Sequence, residues 1–149
     1  MDIKQQLFKK CQDFVNKRLQ TVEEIISSNQ KALQSETKSS AGDKHETGRA
    51  MLQLEMEKAS QQFAAISKMK EILSKVDMTN NSETAHLGSI IHTTSGNYFL
   101  SISAGQLTVD HTVYFAISVS SPIGKILLGK KVNSEYFFNK MNNKVLFIK

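Results

Sequence analysis

SSAGDKHETGRAML, residues Ser39 to Leu52, is the stretch on which the reading of the first half of the chain turns. Small residues and two glycines, Gly42 and Gly48, break a helical pattern that runs on both sides of it. Before the break, Ile3, Leu7, Cys11, Phe14, Leu19, Val22, Ile26 and Leu33 recur mostly at steps of three or four residues. After it, Met51, Leu54, Ala59, Phe63, Ile66, Met69, Leu73 and Val76 form a second such stripe. Neither segment is apolar enough to be surrounded by core. Two narrow stripes joined by a short loop predict an antiparallel helical hairpin, a coiled coil over residues 1–77 with its tip at 36–48.

The pattern then changes. DMTNNSETAHLG is rich in Asn, Ser and Thr and reads as a linker, placed at 78–86. SIIHTT, NYFLSISA and VYFAISVS are short runs of β-branched and aromatic residues, separated by Ser-Gly-Asn, Ala-Gly-Gln and Asp-His-Thr turn signals. PIGKILLGK opens with proline and closes at Gly129, as a short helix does. EYFFNK and KVLFIK are the last strand candidates, with a turn expected at Met141-Asn142-Asn143. The fold class is therefore α+β: a hairpin, then a small, bent antiparallel β domain with one short helix over 87–149.

Composition narrows the function classes. The chain has 149 residues, a formal net charge of +5 and 7% aromatics with no Trp. The lysines are dispersed, without the basic stripe and interleaved aromatics of a direct nucleic-acid binder. One cysteine, Cys11, excludes an internal disulfide and a multi-cysteine zinc site. It occupies a stripe position, where a thiol serves as a small hydrophobe rather than a nucleophile. His45, His86, His92 and His111 are scattered singly. No nucleophile elbow, P-loop or zinc-helix motif occurs, so no self-contained active site is expected. The N-terminus lacks a signal-peptide core and no run reaches membrane-spanning length, which predicts a soluble cytoplasmic protein with no membrane partner.

Asp43 and Glu46 remain. One account makes Asp43-x-x-Glu46 a capping box that starts the second helix. The other has both carboxylates offered outward to a divalent metal, since Mg²⁺ takes only one or two protein carboxylates and fills its shell with water or phosphate. The two roles are compatible, capping when free and ligating when inserted elsewhere. Tyr98, Phe99, Tyr114 and Phe115 come as adjacent pairs, so alternate members face opposite ways and are expected in sheet core.

Two segments resemble the bacterial transcription elongation factors of the GreA/GreB family. ISVSSPIGKILLGKKV, Ile117 to Val132, is similar to that family's Ser-Pro, apolar helical turn and Leu-Gly-Lys signature, and Gly42-Asp43-Lys44-His45-Glu46 is similar to its tip motif in both acids and their spacing. The resemblance implies a helical hairpin followed by an FKBP-like domain. It implies RNA polymerase as partner, with the hairpin in its secondary channel, in the DNA-bound transcription complex. Asp43 and Glu46 would help hold a shared Mg²⁺ there, so that the polymerase cleaves its own backtracked RNA. The chain itself would carry no cofactor, would not be an enzyme, and would act as a monomer.

On the same resemblance, Ser121, Pro122, Ile123, Gly124, Leu128 and Gly129 belong to the polymerase-docking region, with Ile123, Leu127 and Leu128 expected to pack on the sheet. Lys44 and Arg49, beside the acids, are the candidates for contact with RNA phosphate; the other hairpin cations are read as a solvated face. The tip departs from the family pattern at Lys44, His45 and Thr47, where the family has Leu, Ser and Asn. Cations there weaken the negative field that attracts Mg²⁺. A channel-binding regulator that does not cleave is the alternative.

Overall fold

The computed structural model describes the backbone of residues 1–37 and 42–149, and the side chains outside 36–46. It is α+β: a helical hairpin followed by a mostly antiparallel six-stranded sheet with one short helix. Helix α1 runs Ile3–Thr37 and α2 runs Gly42–Ser74. The chain forms two compact units, and their division cuts across both helices. One is Val15–Lys70; the other combines Met1–Phe14 with Glu71–Lys149.

Within Val15–Lys70, the buried positions are spaced as a coiled-coil seam requires. Val15, Val22 and Asn29 lie seven residues apart on α1, and Ala59 and Ile66 seven apart on α2. Leu19, Ile26 and Leu33 on one helix, and Leu52, Met56 and Met69 on the other, are half-buried between them. The α2 stripe expected from the sequence is partly wrong. Met51, Leu54 and Phe63 are exposed, and the seam passes through Leu52 and Met56 instead. At about 100° per residue, Met51 lies roughly 80° and Leu54 roughly 140° around the helix from Ala59. A run of apolar residues hid which of its members faced the partner helix.

Asn29 sits in that seam with its Nδ2 lacking a hydrogen-bond partner among the described residues. A buried unpaired amide costs more than the aliphatic side chain it displaces. Asn29→Leu is therefore expected to stabilise the hairpin by about 1–2 kcal/mol, read as a rise in the denaturant midpoint of the helical signal at 222 nm.

In the other unit, strands β1 (Ile90–Thr93), β2 (Gly96–Ser101), β3 (Gly105–Val109), β4 (Thr112–Ser118), β5 (Glu135–Phe138) and β6 (Met141–Ile148) form one sheet in the order β3-β4-β2-β1-β6-β5. Helix α3 is Pro122–Leu127. Two expectations are corrected here. Between the Ala-Gly-Gln and Asp-His-Thr turn signals lies a further strand, β3, that is not among the runs expected above, and β4 then returns parallel to β2, so the sheet is mixed rather than antiparallel. Gly105, at φ +78°, starts β3 in a conformation other residues rarely adopt.

The last hairpin turns at Asn139 and Lys140, both left-handed, not at Met141-Asn142-Asn143. Asn tolerates that conformation, and the earlier turn lets Tyr136 and Val145 share the core face. That face carries Ile91, Leu100, Tyr136 and Val145 under Ile123 and Leu127 of α3. The opposite face buries Ile90, Phe99, Tyr114 and Ala116. The aromatic pairs split as their alternation requires: Phe99 and Tyr114 are buried, while Phe115 is partly exposed on the other face.

Candidate functional site

The candidates from the sequence fall in two places. Helix α2 begins at Gly42, so the backbone at positions 43 and 46 lies in its first turn, and residues three apart on a helix share a face. The side chains of Asp43, Lys44 and Glu46 lie outside the described residues. Arg49, one turn on, is exposed.

The second group surrounds α3. Ser121 caps this helix in extended conformation: its Oγ accepts from the Gly124 N–H at 3.1 Å and donates to the Ser118 carbonyl at 2.6 Å. Pro122 follows at the first helical position, where no amide donor is needed. Gly124 is buried against Ser118, and a Cβ placed on it would stand 1.9 Å from that same carbonyl oxygen. Ile123 and Leu127 are in the core. Leu128, expected to pack, is 47% exposed instead. Its N–H closes the helix on the Gly124 carbonyl, and Gly129, at φ +86°, then donates to the Ala85 carbonyl at 2.8 Å.

The six positions therefore divide by what they touch. Ser121, Ile123 and Gly124 hold the turn and core together, whereas Pro122, Leu128 and Gly129 reach the surface, next to exposed Lys125 and Lys131. The close approach of Gly124 to Ser118 was not read from the sequence. The signal for it was the serine cluster Ser118, Ser120, Ser121 before the proline, which packs several acceptors under one short turn.

Cys11 takes the role its stripe position implies. It is fully buried, its Sγ 3.7 Å from Ser101 Oγ on the sheet, and burial pushes its thiol from 9.0 up to about 11. The folded value lies above the ordinary one. The stability this thiol contributes is thus fully present below pH 9 and is lost as pH rises toward 11. At pH 8, iodoacetamide is expected to label Cys11 about 100-fold or more slowly in native buffer than in denaturant, with mass spectrometry following the adduct.

Among the described residues, no three His, Cys, Asp or Glu side chains stand close enough together to hold a metal ion, and no helix is long and apolar enough to cross a membrane. A groove of about 550 Å³ runs between the helices of Val15–Lys70, lined by Thr21, Glu24, Ser28, Asn29, Glu55 and Lys58 among others. None of the sequence-derived candidates lies in it. No protein-family model matches the chain, and no curated protein matches it significantly.

Proposed function

We propose that this chain is an RNA polymerase-binding elongation factor of the GreA/GreB kind, whose hairpin enters the polymerase secondary channel and promotes cleavage of backtracked RNA. The observation that carries the reading is the position of the acids. Two long helices of one hairpin end at Thr37 and begin at Gly42, and Asp43 and Glu46 occupy the first turn beyond that join. Carboxylates so placed can be delivered into another protein's active site while the body stays outside it.

The donor set suits Mg²⁺, a hard cation that accepts one or two carboxylates and keeps water and phosphate oxygens for the rest. When bound, the metal would supply Lewis-acid chemistry to the polymerase's own hydrolysis. This chain's share is to bring Asp43 and Glu46 and to place Lys44 and Arg49 toward RNA phosphate. The β domain, which on this reading is FKBP-like, docks through Pro122, Leu128 and Gly129, with Ser121, Ile123 and Gly124 shaping that surface. The factor acts as a monomer in the cytoplasm.

Lys44 and His45, between the acids, favour a second reading: a regulator that occupies the channel without stimulating cleavage. One experiment separates the two. A halted, backtracked complex of the cognate polymerase is treated with the parent protein or with Asp43→Ala/Glu46→Ala, after both are shown to bind. Release of short RNA 3′ fragments by the parent alone supports the cleavage factor. Binding without release by either supports the silent regulator, and failure of both to bind overturns both readings.

A further inference from the structure

The groove between the helices of Val15–Lys70 opens beside Ala59, the smallest of the buried seam side chains Val15, Val22, Asn29, Ala59 and Ile66. A methyl group leaves space there that a longer aliphatic side chain would fill. Ile25 borders the same space and is 39% exposed. Asn29 lines it from the seam, itself 7% exposed, with its Nδ2 unpartnered among the described residues. Buried amides are ordinarily hydrogen-bonded, so an orphaned donor in a groove wall points to a missing acceptor. The last torsion of an asparagine side chain is soft, and the amide can turn to meet one that enters the groove.

We propose that this groove is a binding site for a small zwitterion, a free amino acid with an apolar side chain. The proposal stands apart from the polymerase reading and uses none of its residues. The groove walls carry both signs of charge. Glu55 and Lys58, one turn apart on α2, are exposed and have no ion-pair partner among the described residues. Glu24 adds a second carboxylate from α1. Asn29 Nδ2 and the Lys58 ammonium are donors for a carboxylate, and Glu55 and Glu24 are acceptors for an ammonium. Ile25 and Ala59 supply apolar surface for the side chain.

Ligands of one charge fit the same walls less well. A cation would answer Glu24 and Glu55 but leave the Asn29 donor unmet and stand beside Lys58 as a like charge. An anion would answer Asn29 and Lys58 and stand against two carboxylates. Thr21 Oγ1 donates its proton to the Lys17 carbonyl at 3.1 Å, which leaves that oxygen as one more acceptor. A molecule that carries both charges on a short apolar frame meets all of these groups at once. The groove, about 550 Å³, lies within the range of roughly 300–1,000 Å³ usual for small-molecule sites.

The test titrates the full-length, ¹⁵N-labelled chain with three probes of one carbon frame: L-leucine, isocaproate, which lacks the ammonium, and isoamylamine, which lacks the carboxylate. L-leucine is expected to shift the Asn29 side-chain amide and the backbone amides of Ile25 and Ala59 saturably, at least about tenfold more tightly than either one-charge probe. Lys58→Gln, at an exposed position, should weaken L-leucine about tenfold and leave isoamylamine unchanged. Asn29→Leu should abolish the binding while raising the denaturant midpoint of the helices, a combination that misfolding cannot produce. The proposal is overturned if no probe shifts these amides at millimolar concentration, which leaves Asn29 to water alone. It is overturned equally if a one-charge probe binds as well as L-leucine, or if Asn29→Leu or Lys58→Gln binds L-leucine as the parent does.

Discussion

Gly124→Ala will lower the stability of the β unit by about 3 kcal/mol or more, a fall of roughly 12 °C or more in its melting temperature. The cause is steric rather than conformational. The added methyl would stand 1.9 Å from the Ser118 carbonyl oxygen and 2.9 Å from its carbon, and backbone cannot yield as a flexible side-chain end can. That oxygen also accepts from the Ser121 N–H at 3.1 Å and from Ser121 Oγ. Moving it away from a Cβ undoes the cap of α3, and α3 carries Ile123 and Leu127 into the core.

Gly129 is the control. Among the described residues nothing lies within 4 Å of its Cβ position, and its φ of +86° is what resists substitution. Gly129→Ala should therefore cost only about 1 kcal/mol. All three tyrosines, Tyr98, Tyr114 and Tyr136, lie in the β unit and there is no Trp. Near-UV circular dichroism consequently follows this unit separately from the helical signal. Equal melting of the two variants would refute the steric explanation.

On the cleavage-factor reading proposed above, Asp43→Asn/Glu46→Gln will reduce RNA cleavage on the order of 100-fold while leaving helix content and polymerase binding intact. The conservative pair distinguishes the two roles of the acids. Asn caps a helix about as well as Asp, and Gln can complete a capping box in place of Glu. Neither amide supplies the anionic oxygen that Mg²⁺ requires for tight binding. Partial recovery at raised Mg²⁺ concentration is expected if the loss is one of metal affinity. If the amide pair cleaves as well as the parent, the carboxylates serve the helix alone. Cleavage of the RNA 3′ end in a halted complex, followed against Mg²⁺ concentration, reads all three outcomes.

The two long helices and most strands were legible because their period is written in residue type. What the period does not carry is the identity of the facing member within an apolar run, hence the displacement of the α2 seam from Met51 and Leu54 to Leu52 and Met56. Strand β3 was missed because Gln106-Leu107-Thr108-Val109 has one aliphatic pair, no aromatic, and a glycine at its start. With β3 missing, the parallel pairing of β2 with β4 could not be inferred, since it follows from where β3 inserts the chain. The last turn moved for a related reason. Asn139 and Asn143 are equally suited to a turn in isolation, and only the inward side chains of Tyr136 and Val145 choose between them.

At the candidate sites, serine followed by proline announced the start of α3, and the helix starts there. The sequence did not say that Leu128 would face outward while Leu127 beside it is fully buried, because a helix of six residues gives no second turn from which to read its inner face.

The unit that carries the sheet is built from two separated pieces of chain, and this bears on the order in which the protein is made. Cys11 meets Ser101 across 90 residues of sequence, and β1 waits for β6, which follows every other strand. On a ribosome, Val15–Lys70 can pair its helices soon after it emerges, since its contacts are local in sequence and such contacts form fastest. The first fourteen residues leave the exit tunnel before anything they pack against has been synthesised. Leu7 and Cys11 therefore stay bare to solvent and to chaperones for most of translation, and the sheet closes over them last.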